Sequence, residues 1–491
     1  MSLRPILGLA AGLLAATSAF AQTITPQMLR DHVAVLASDA YEGREPGTPG
    51  GDRAEAYVLQ AFAAAGLQPG APDGRWRQEV AMTDVRAATI AGTVTRSGKP
   101  VALGANQIAG LGLAPTTSIT RAPLVFVGRG APDQMAGTDL TGAVAVVIGG
   151  TAPDAPPVPN ADRNAALQAA GALGVLLIAS AQAPWADVAH SFSELTIAGP
   201  VRRPGFTGVV SPDAAQLLLG RSAADLRTAA IVPTFRPVRS DATIDIAATG
   251  TARRYTTANI VGMLPGTQRP NEAVLLSAHW DHIGICAPEG AADRICNGAA
   301  DNASGTAILI EVAKVLAKQP RSPRSVYFVA TTAEEKGLIG ADAYAAAIAD
   351  TPLKVVVNLN IDTSAIVPVG MPMAMVGRGN HPAIDAIVDQ TARAIGRKVD
   401  TDIEANIMVQ RQDGWAFGQR GIPAVMATGS VSDMKRLFAY LDGPYHKPTD
   451  DMAHIDLTGA AEDADLHVAL ARALADPARY PTPAAPAQPT K

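Results

Sequence analysis

The spacing of apolar and polar positions changes several times along this chain of 491 residues. From Pro26 to Leu67 apolar residues recur at helical spacing, interrupted by a break at 42–52 that is rich in glycine and proline. From Trp76 to about Leu113 the pattern changes to short alternating stretches, which are typical of strands. The sequence therefore predicts that helices come first and are followed by a sheet.

After about residue 255, short apolar runs alternate with longer stretches of helical spacing. Such alternation predicts an α/β fold with a mixed, mostly parallel central sheet flanked by helices. The predicted strands are 274–277, 325–331, 355–361 and 423–428, and the predicted helices are 304–316, 338–348 and 382–395.

Between these parts lies a block of about 119–240, whose edges are polar or rich in proline. The block contains short apolar runs that suit buried strands, and a helix is predicted over 165–173. We expect it to be a smaller inserted domain, which leaves 22–118 and 241–480 as one larger domain. The remaining residues, 481–491, are rich in proline and alanine and are predicted to be disordered.

Residues 1–21 have the composition of a secretory signal peptide. Arg4 supplies a positive charge, the stretch from Ile6 to Ala16 is apolar, and Ala19-Phe20-Ala21 is a small-x-small cleavage site. The apolar run is shorter than the roughly 18 residues that a membrane span needs. We therefore expect an exported protein, periplasmic or secreted, with no membrane span once the signal peptide is removed.

The amino-acid composition excludes some classes of binding partner. Apolar residues make up 48% of the chain, the net charge is −5 and the pI is about 5.9. These values allow large buried cores, but they provide no basic field for nucleic acid and no polybasic patch for a membrane surface. The sequence does not indicate an oligomeric state.

Cys286 and Cys296 are the only two cysteines. In an oxidising compartment a disulfide between them is expected. The alternative is that both act as thiolate metal ligands, but their spacing is not C-x2-C and better ligand types surround them.

Six acidic or imidazole side chains in the second half of the chain suggest a shared chemistry. They are His279 in HWDH, Asp301 in GAADNASG, Glu334 and Glu335, Asp362 in NID, and His446 in PYH. Several follow predicted strands directly, and the carboxyl ends of parallel strands meet at one edge of a sheet. Two imidazoles and three carboxylates suit two zinc ions if one carboxylate bridges them, and the remaining glutamate is then free to act as a base. Each residue alone is more often incidental; their joint order favours a dinuclear site.

The order HWD, GAADNASG, AEEKGLIG, NID and PYHKPTD resembles the di-zinc exopeptidase family of secreted leucyl aminopeptidases and glutamate carboxypeptidase. SDAYEGREPGTPG resembles the N-terminal segment of that family, APLVFVGRG its protease-associated insert, and RQDGWAFGQRGIPAV its late strand-and-loop motif. The resemblance implies a zinc-peptidase fold with a β-rich protease-associated domain, two Zn²⁺ per chain and peptide substrates.

The resemblance also implies a role for each matching ligand. Asp301 would bridge the two zinc ions. His279 and Asp362 would complete one metal site, and Glu335 and His446 would complete the other.

Further roles follow from the same resemblance. Glu334 would be the general base and acid, and Asp281 would accept a hydrogen bond from the ring of the first histidine ligand. Tyr445 would hydrogen-bond the developing oxyanion, and Arg411 falls where some members place an arginine that contacts substrate. The peptide bond Asp301–Asn302 is expected to be cis.

The leading functional hypothesis is an exported metallo-exopeptidase that removes N-terminal amino acids from peptides. A carboxypeptidase or dipeptidase on the same scaffold is the alternative, and it would need basic groups near the free carboxylate of its substrate. A non-catalytic binding homologue and a single-zinc acyl-transfer cyclase are less favoured, because every ligand and Glu334 are present.

Three nearby residues are not assigned to metal binding. His282 is expected to be structural or to support a ligand, and Asp413 to brace a loop. Asp450, four residues after His446, is expected to cap or solvate the next turn.

Overall fold

The computed structural model describes residues 24–149, 158, 160–199 and 203–482, so the predicted signal peptide lies outside the described residues. The chain divides into two compact units, one formed by residues 1–79 with 257–491 and the other by 80–256. The second unit extends beyond the expected insert to residues 80–118 and 241–256, which lie largely in strands.

Most helices begin at residues that suit a helix N-terminus. Thr25 and Thr48 cap two helices that start with proline, and Asp456 caps the last one. Among the described residues, no helix is both long and apolar enough to cross a membrane. The helices are α1 Pro26–Leu36, α2 Pro49–Ala64, α3 Pro132–Met135, α4 Asn160–Ala169, α5 Trp185–Ser191, α6 Ala214–Leu219, α7 Ala223–Ala230, α8 Gly305–Ala317, α9 Ile339–Ala349, α10 Pro382–Ala394, α11 Gly414–Gln419, α12 Met434–Asp442 and α13 Leu457–Leu474, with 3-10 turns at Asp39–Arg44 and Glu404–Met408.

The strands include two that are much longer than sequence patterns suggest, β2 and β10. In chain order they are β1 Gln68–Pro69, β2 Arg77–Arg96, β3 Lys99–Leu103, β4 Ile108–Gly112, β5 Thr116–Phe126, β6 Val144–Ile148, β7 Gly174–Ile178, β8 Glu194–Ala198, β9 Phe206–Val210, β10 Val238–Leu264, β11 Arg269–His279, β12 Arg324–Thr331, β13 Lys354–Asn360, β14 Ala374–Val376 and β15 Ala424–Thr428.

The sheet of the first unit has the order β14-β15-β13-β11-β12-β10, with β1 paired to β10. The pairs β15–β13, β13–β11 and β11–β12 are parallel, whereas β14 and β10 pair antiparallel with their neighbours. The predicted mixed, mostly parallel α/β sheet is thus confirmed.

Both faces of this sheet are covered by helices. Val274, Leu276 and Ala278 of β11 pack with α1, α2, α8, α10 and α13, whereas Leu275 between them packs with α9 and α11 on the other face. Because alternate side chains of a strand point to opposite faces, a strand covered on both sides reads as an uninterrupted apolar run. This explains why the parallel strands β11, β12, β13 and β15 are predictable from the sequence.

The second unit has its own hydrophobic core and is rich in strands. In it β5, β6, β7 and β9 are parallel neighbours, and β4 pairs antiparallel with β9. The helix expected over 165–173 lies earlier, at α4, because the chain turns at Gly171 with a φ of 87° before β7 begins.

The predicted disordered tail starts with an ordered contact. Thr482 accepts a hydrogen bond from Arg324 and donates one to Glu272, at 2.9 and 2.7 Å. The expectation of disorder is therefore wrong at this position, and residues 483–491 lie outside the described residues.

We expect Phe328→Ala to lower the free energy of unfolding by about 3–5 kcal/mol, because it leaves a cavity in the core. Phe328 lies in β12, is fully buried and packs against Phe62 with ring centroids 6.3 Å apart. Phe438→Ala is the matched control, since that ring is 49% exposed. Urea denaturation followed by circular dichroism measures both variants, and equal midpoints would contradict this account of the core.

Candidate metal centre

Three strands deliver four of the predicted residues to one edge of the sheet. His279 ends β11, Asp362 follows the end of β13 by two residues, and Glu334 and Glu335 follow the end of β12. Because these strands are parallel neighbours, their carboxyl ends lie side by side. The sheet topology itself therefore gathers these side chains.

Asp301 comes from the wide turn Ala299–Ser304 that leads into α8, and the bond Asp301–Asn302 is cis, as expected. The Asn302 side chain accepts a hydrogen bond from Gly305 N and donates one to Ile361 O, both at 2.9 Å. A Cβ atom on Gly305 would lie 2.2 Å from Asn302 Oδ1, so only glycine fits there. Asn302 thus caps α8 and ties the turn to the end of β13.

Each oxygen of Asp301 faces a different set of side chains. Asp301 Oδ1 lies 3.2 Å from His279 Nε2, which is 3.4 Å from Asp362 Oδ1. Asp301 Oδ2 lies 3.4 Å from His446 Nε2, which is 2.9 Å from Glu335 Oε2. The structure therefore brings all five predicted ligands together as two groups that share Asp301.

The donor set fits zinc. His279 Nε2 and His446 Nε2 are buried, and neither has a hydrogen-bond partner among the described residues, although carboxylate oxygens lie nearby. Two ligands of one tetrahedral zinc lie about 3.3 Å apart when each bond is about 2.0–2.1 Å. Nitrogen and oxygen atoms at such separations, without hydrogen-bond geometry, are arranged as they would be around a cation.

The charges around Asp301 favour its ionised form. Burial opposes ionisation, but contacts with His279 and His446 and the nearby imidazole of His282 outweigh it and hold the pKa of Asp301 well below its usual range. Asp301 is therefore ionised at neutral pH.

Glu334 has the opposite electrostatic character. Burial raises the pKa of Glu334 well above its usual range, and the carboxylates of Glu335 and Asp362 raise it further against the opposing charge of His279. Burial likewise raises the pKa of Asp413 to about 7. A carboxyl group that takes up protons readily suits proton transfer.

Asp281 has a contact that differs from the expected one. Its Oδ1 is 3.9 Å from His279 Nδ1, too far for a hydrogen bond, whereas the backbone oxygen of Asp281 is 3.2 Å from that nitrogen. Asp281 Oδ1 instead accepts a hydrogen bond from the backbone N–H of Glu334 at 3.2 Å. Asp281 thus links the His279 loop to the loop that carries the two glutamates.

His282 supports a ligand, in line with one of the two roles expected for it. It is fully buried, and its Nδ1 is 2.6 Å from Glu335 Oε1, whereas the other oxygen of Glu335 faces His446. The ring of His282 thereby fixes the orientation of the Glu335 carboxylate.

Asp413 also has the bracing role expected of it. It is fully buried, and its carboxylate accepts a hydrogen bond from the Thr331 hydroxyl at the end of β12.

The expectation for Asp450 is wrong. Asp450 is buried, and its carboxylate accepts hydrogen bonds from the backbone N–H groups of Ala300 and Asp301, at 2.9 and 3.1 Å, and from the Tyr440 hydroxyl at 2.9 Å. It therefore holds the Asp301 turn and does not cap a surface turn. The signal was present in PYHKPTD, where this aspartate stands four residues after His446.

Sequence reasoning also missed Arg44, although GRE belongs to the quoted N-terminal motif. Its side chain is fully buried and donates hydrogen bonds to backbone carbonyls of the loops that carry His279 and Asp301. The hydrogen-bond partners of Arg44 are backbone carbonyls, which every residue has. No pattern of side chains in the sequence can therefore reveal them.

Tyr445 and Arg411 lie at the open side of the centre. The Tyr445 ring stacks on His446 with centroids 3.7 Å apart, and the Arg411 guanidinium lies 5.6 Å from the centre of the Tyr445 ring. Both side chains line a cavity with Asp301, Glu334 and Asp362. The other lining residues are the apolar Met408, Met426, Val431, Leu437 and Leu441 and the polar Thr363, Gln412 and Ser430.

Cys286 and Cys296 form a disulfide, with their Cα atoms 5.7 Å apart. The bond closes the loop between His279 and Asp301, and neither sulfur is left as a thiolate ligand.

The fold and the centre together are those expected of an α/β metallopeptidase domain. Residues 259–471 match the model of peptidase family M28, and the resemblance in the motifs is confirmed over this part of the chain.

Two relatives of this chain are aminopeptidases. The chain is 26% identical over 223 residues to Aminopeptidase YwaD of Bacillus subtilis, covering 43% of each chain. It is 26% identical over 225 residues to Leucine aminopeptidase 1 of Ajellomyces capsulatus, covering 44% of this chain and 56% of that one. The chain thus spans about half the length of these relatives.

Among solved structures, the aminopeptidase from Aneurinibacillus sp. strain AM-1 aligns over 92% of this chain and 93% of its own, with a TM-score of 0.57 and 18% identity. This similarity supports the fold.

We expect zinc to raise the melting temperature of protein first treated with a chelator. A cation that binds only the folded site stabilises it by about 2.7 kcal/mol at a hundredfold excess over Kd. Asp301→Asn is the control, because it replaces the carboxylate shared by both ligand groups with an uncharged amide. Differential scanning calorimetry with and without zinc measures the effect, and equal stabilisation of both proteins would rule out the site.

Proposed function

We propose that this protein is an exported metallo-exopeptidase that removes N-terminal amino acids from peptides. The observation that carries the proposal is the position of Asp301, whose two oxygens face two separate histidine–carboxylate groups. An arrangement of this kind suits a pair of metal ions with one shared carboxylate.

The proposed cofactor is two Zn²⁺ per chain. His279 and Asp362 would hold one ion, Glu335 and His446 the other, and Asp301 both. When bound, such a pair lowers the pKa of a shared water toward neutrality and polarises the scissile carbonyl.

Glu334 is the proposed general base and acid. It belongs to the same cluster as His279 and Glu335, yet the five other side chains complete the ligand groups without it. As a glutamate left free by the two ligand groups, it would take a proton from water and release that proton to the leaving amine. Asp281 positions this group through the backbone N–H of Glu334.

Tyr445 and Arg411 are the proposed substrate contacts. Tyr445 lies against His446, where its hydroxyl would donate to the developing oxyanion. Burial raises the pKa of Tyr445 above its usual range, so the hydroxyl keeps the proton that it needs to donate.

The preference for an aminopeptidase rests on the relatives and not on the cavity. The cavity contains the carboxylates of Asp301, Glu334 and Asp362 beside apolar side chains, but these three carboxylates are already assigned to the metal ions and to proton transfer. The names of the aligned relatives, both aminopeptidases, support that preference. Arg411 is the observation that favours a carboxypeptidase instead, since a guanidinium in this cavity suits a free carboxylate.

Export is supported by the composition of residues 1–21 and by the disulfide between Cys286 and Cys296, a bond that persists in oxidising compartments. The unit 80–256 is proposed to be a protease-associated domain, on the resemblance of APLVFVGRG and on its separate β-rich core.

The test is zinc content of the purified mature protein combined with hydrolysis of three substrates: a leucyl peptide, a glutamyl peptide and an N-blocked peptide. Two zinc ions and cleavage that requires a free N-terminus are expected. Cleavage of the blocked peptide at its free C-terminus would move the assignment to carboxypeptidase. One metal ion or none would contradict the bridging role of Asp301.

Glu334→Gln should keep its zinc and lose at least about a hundredfold in kcat, because the amide cannot accept the proton of water. Glu289→Gln is the matched control, since Glu289 is an exposed glutamate in the disulfide loop and should keep full activity. Steady-state kinetics and metal analysis of both variants provide the measurement. Normal turnover by Glu334→Gln would remove Glu334 from the mechanism.

A further inference from the structure

The guanidinium of Arg44 is surrounded by backbone carbonyls of three different segments. Its Nε donates to Trp280 O at 2.9 Å, and Nη2 donates to Gly298 O at 2.9 Å. Nη1 donates to Leu36 O at 2.8 Å and to Asn297 O at 2.6 Å. One planar group therefore joins the end of α1, the loop after β11 and the segment before the Asp301 turn.

Two of these three segments carry candidate ligands. Trp280 directly follows His279, and Gly298 stands three residues before Asp301. A Cβ atom on Gly298 would lie 2.2 Å from Asp301 O and 2.6 Å from the ring of His282, so this part of the chain is in close contact with the centre. A shift of the Gly298 carbonyl would move Asp301 with it.

The backbone around Arg44 is held by the loop between His279 and Asp301. Arg44 O accepts a hydrogen bond from His282 N at 3.4 Å, and Gly43 O accepts one from Gly284 N at 3.0 Å. A Cβ atom on Gly43 would lie 2.4 Å from Cys296 O, so this close approach requires glycine. The turn that contains Gly43 and Arg44 and the loop that contains the disulfide therefore hold each other in place. As a result, the Arg44 side chain has little freedom to move.

Arg44 also contributes a permanent charge. Within the described part of the chain, no carboxylate forms an ion pair with its guanidinium. Burial lowers the pKa of Arg44 to about 10, and the carboxylates of Asp450 and Asp301 oppose that shift, so the group stays cationic at neutral pH. A cation behind the ligands offsets part of their negative charge without competing for their oxygens.

We propose that Arg44 is a positioning residue, which holds the His279 loop and the Asp301 turn at the spacing that the metal pair needs. The inference rests on the metal centre of the proposed function and extends that centre to the N-terminal segment. Hydrogen-bond partners one layer outside a metal typically change metal affinity 10- to 100-fold when they are removed.

Arg44→Lys tests the proposal, because lysine keeps the charge but cannot reach three segments with a planar fork. Arg324→Lys is the matched control. Arg324 is also fully buried and donates to the carbonyls of Leu474 and Tyr480, at 2.9 and 2.6 Å, but it begins β12 and so lies at the opposite end of the strand from the centre.

Zinc affinity of the chelator-treated full chain is measured by competition titration. We expect about a 10- to 100-fold weaker affinity for Arg44→Lys and an unchanged affinity for Arg324→Lys, although both variants lose stability. The absorption spectrum of the cobalt-loaded protein should also change for Arg44→Lys alone, because it reports the arrangement of the ligands.

A milder variant keeps the test decisive if Arg44→Lys does not fold. Asn297 Nδ2 donates to Ala37 O and Asp39 Oδ1, at 2.7 and 2.9 Å, so Asn297→Ala loosens the same segment and should weaken zinc binding several-fold. Wild-type affinity and an unchanged cobalt spectrum in whichever of these variants folds would overturn the positioning role. A wild-type protein that binds no zinc would instead overturn the proposed function, and this inference with it.

Discussion

The accumulation of buried carboxylates at one edge of the parallel sheet is the constraint on which the rest of the structure depends. Asp281, Asp301 and Asp362 are buried at this edge, and the partly buried Glu334 and Glu335 lie beside them. Such a concentration of like charge destabilises a fold unless cations, imidazoles or hydrogen bonds compensate it. The surrounding elements provide that compensation in layers: histidines in contact with the carboxylates, then N–H donors, and then a buried guanidinium.

The sequence predicts those site residues whose positions depend on the order of the strands. His279, Glu335 and Asp362 were found because each follows a strand covered on both faces, and such strands read as plain apolar runs. In the second unit β6 and β7 also read as apolar runs, but the long strands β2 and β10 include many exposed positions and lack that signal. The compact unit 80–256 therefore extends beyond the insert that the sequence predicts.

The layer behind the ligands was harder to predict, for a physical reason. Arg44 bonds to carbonyls, and Asp450 bonds mainly to N–H groups, and every residue type offers those partners. A pattern of side chains cannot reveal a contact in which one side is backbone. Asp281 shows the same limit, since in the structure its backbone oxygen contacts the His279 ring, while its carboxylate accepts a hydrogen bond from Glu334 N.

The backbone at the centre shows why these outer contacts matter. Ala333, Thr363 and His446 have φ values of 53°, 47° and 57°, a region that non-glycine residues adopt at a cost of about 1–3 kcal/mol each. Each is itself a candidate ligand or adjoins a candidate site residue in sequence, so the strain is concentrated where the side chains must converge. Such conformations persist only when neighbouring contacts determine them. The carboxylate of Asp281 accepts from the N–H of Glu334, beside Ala333, and the Asn302 side chain accepts a hydrogen bond from the N–H of Thr363, so contacts from separate loops hold this backbone.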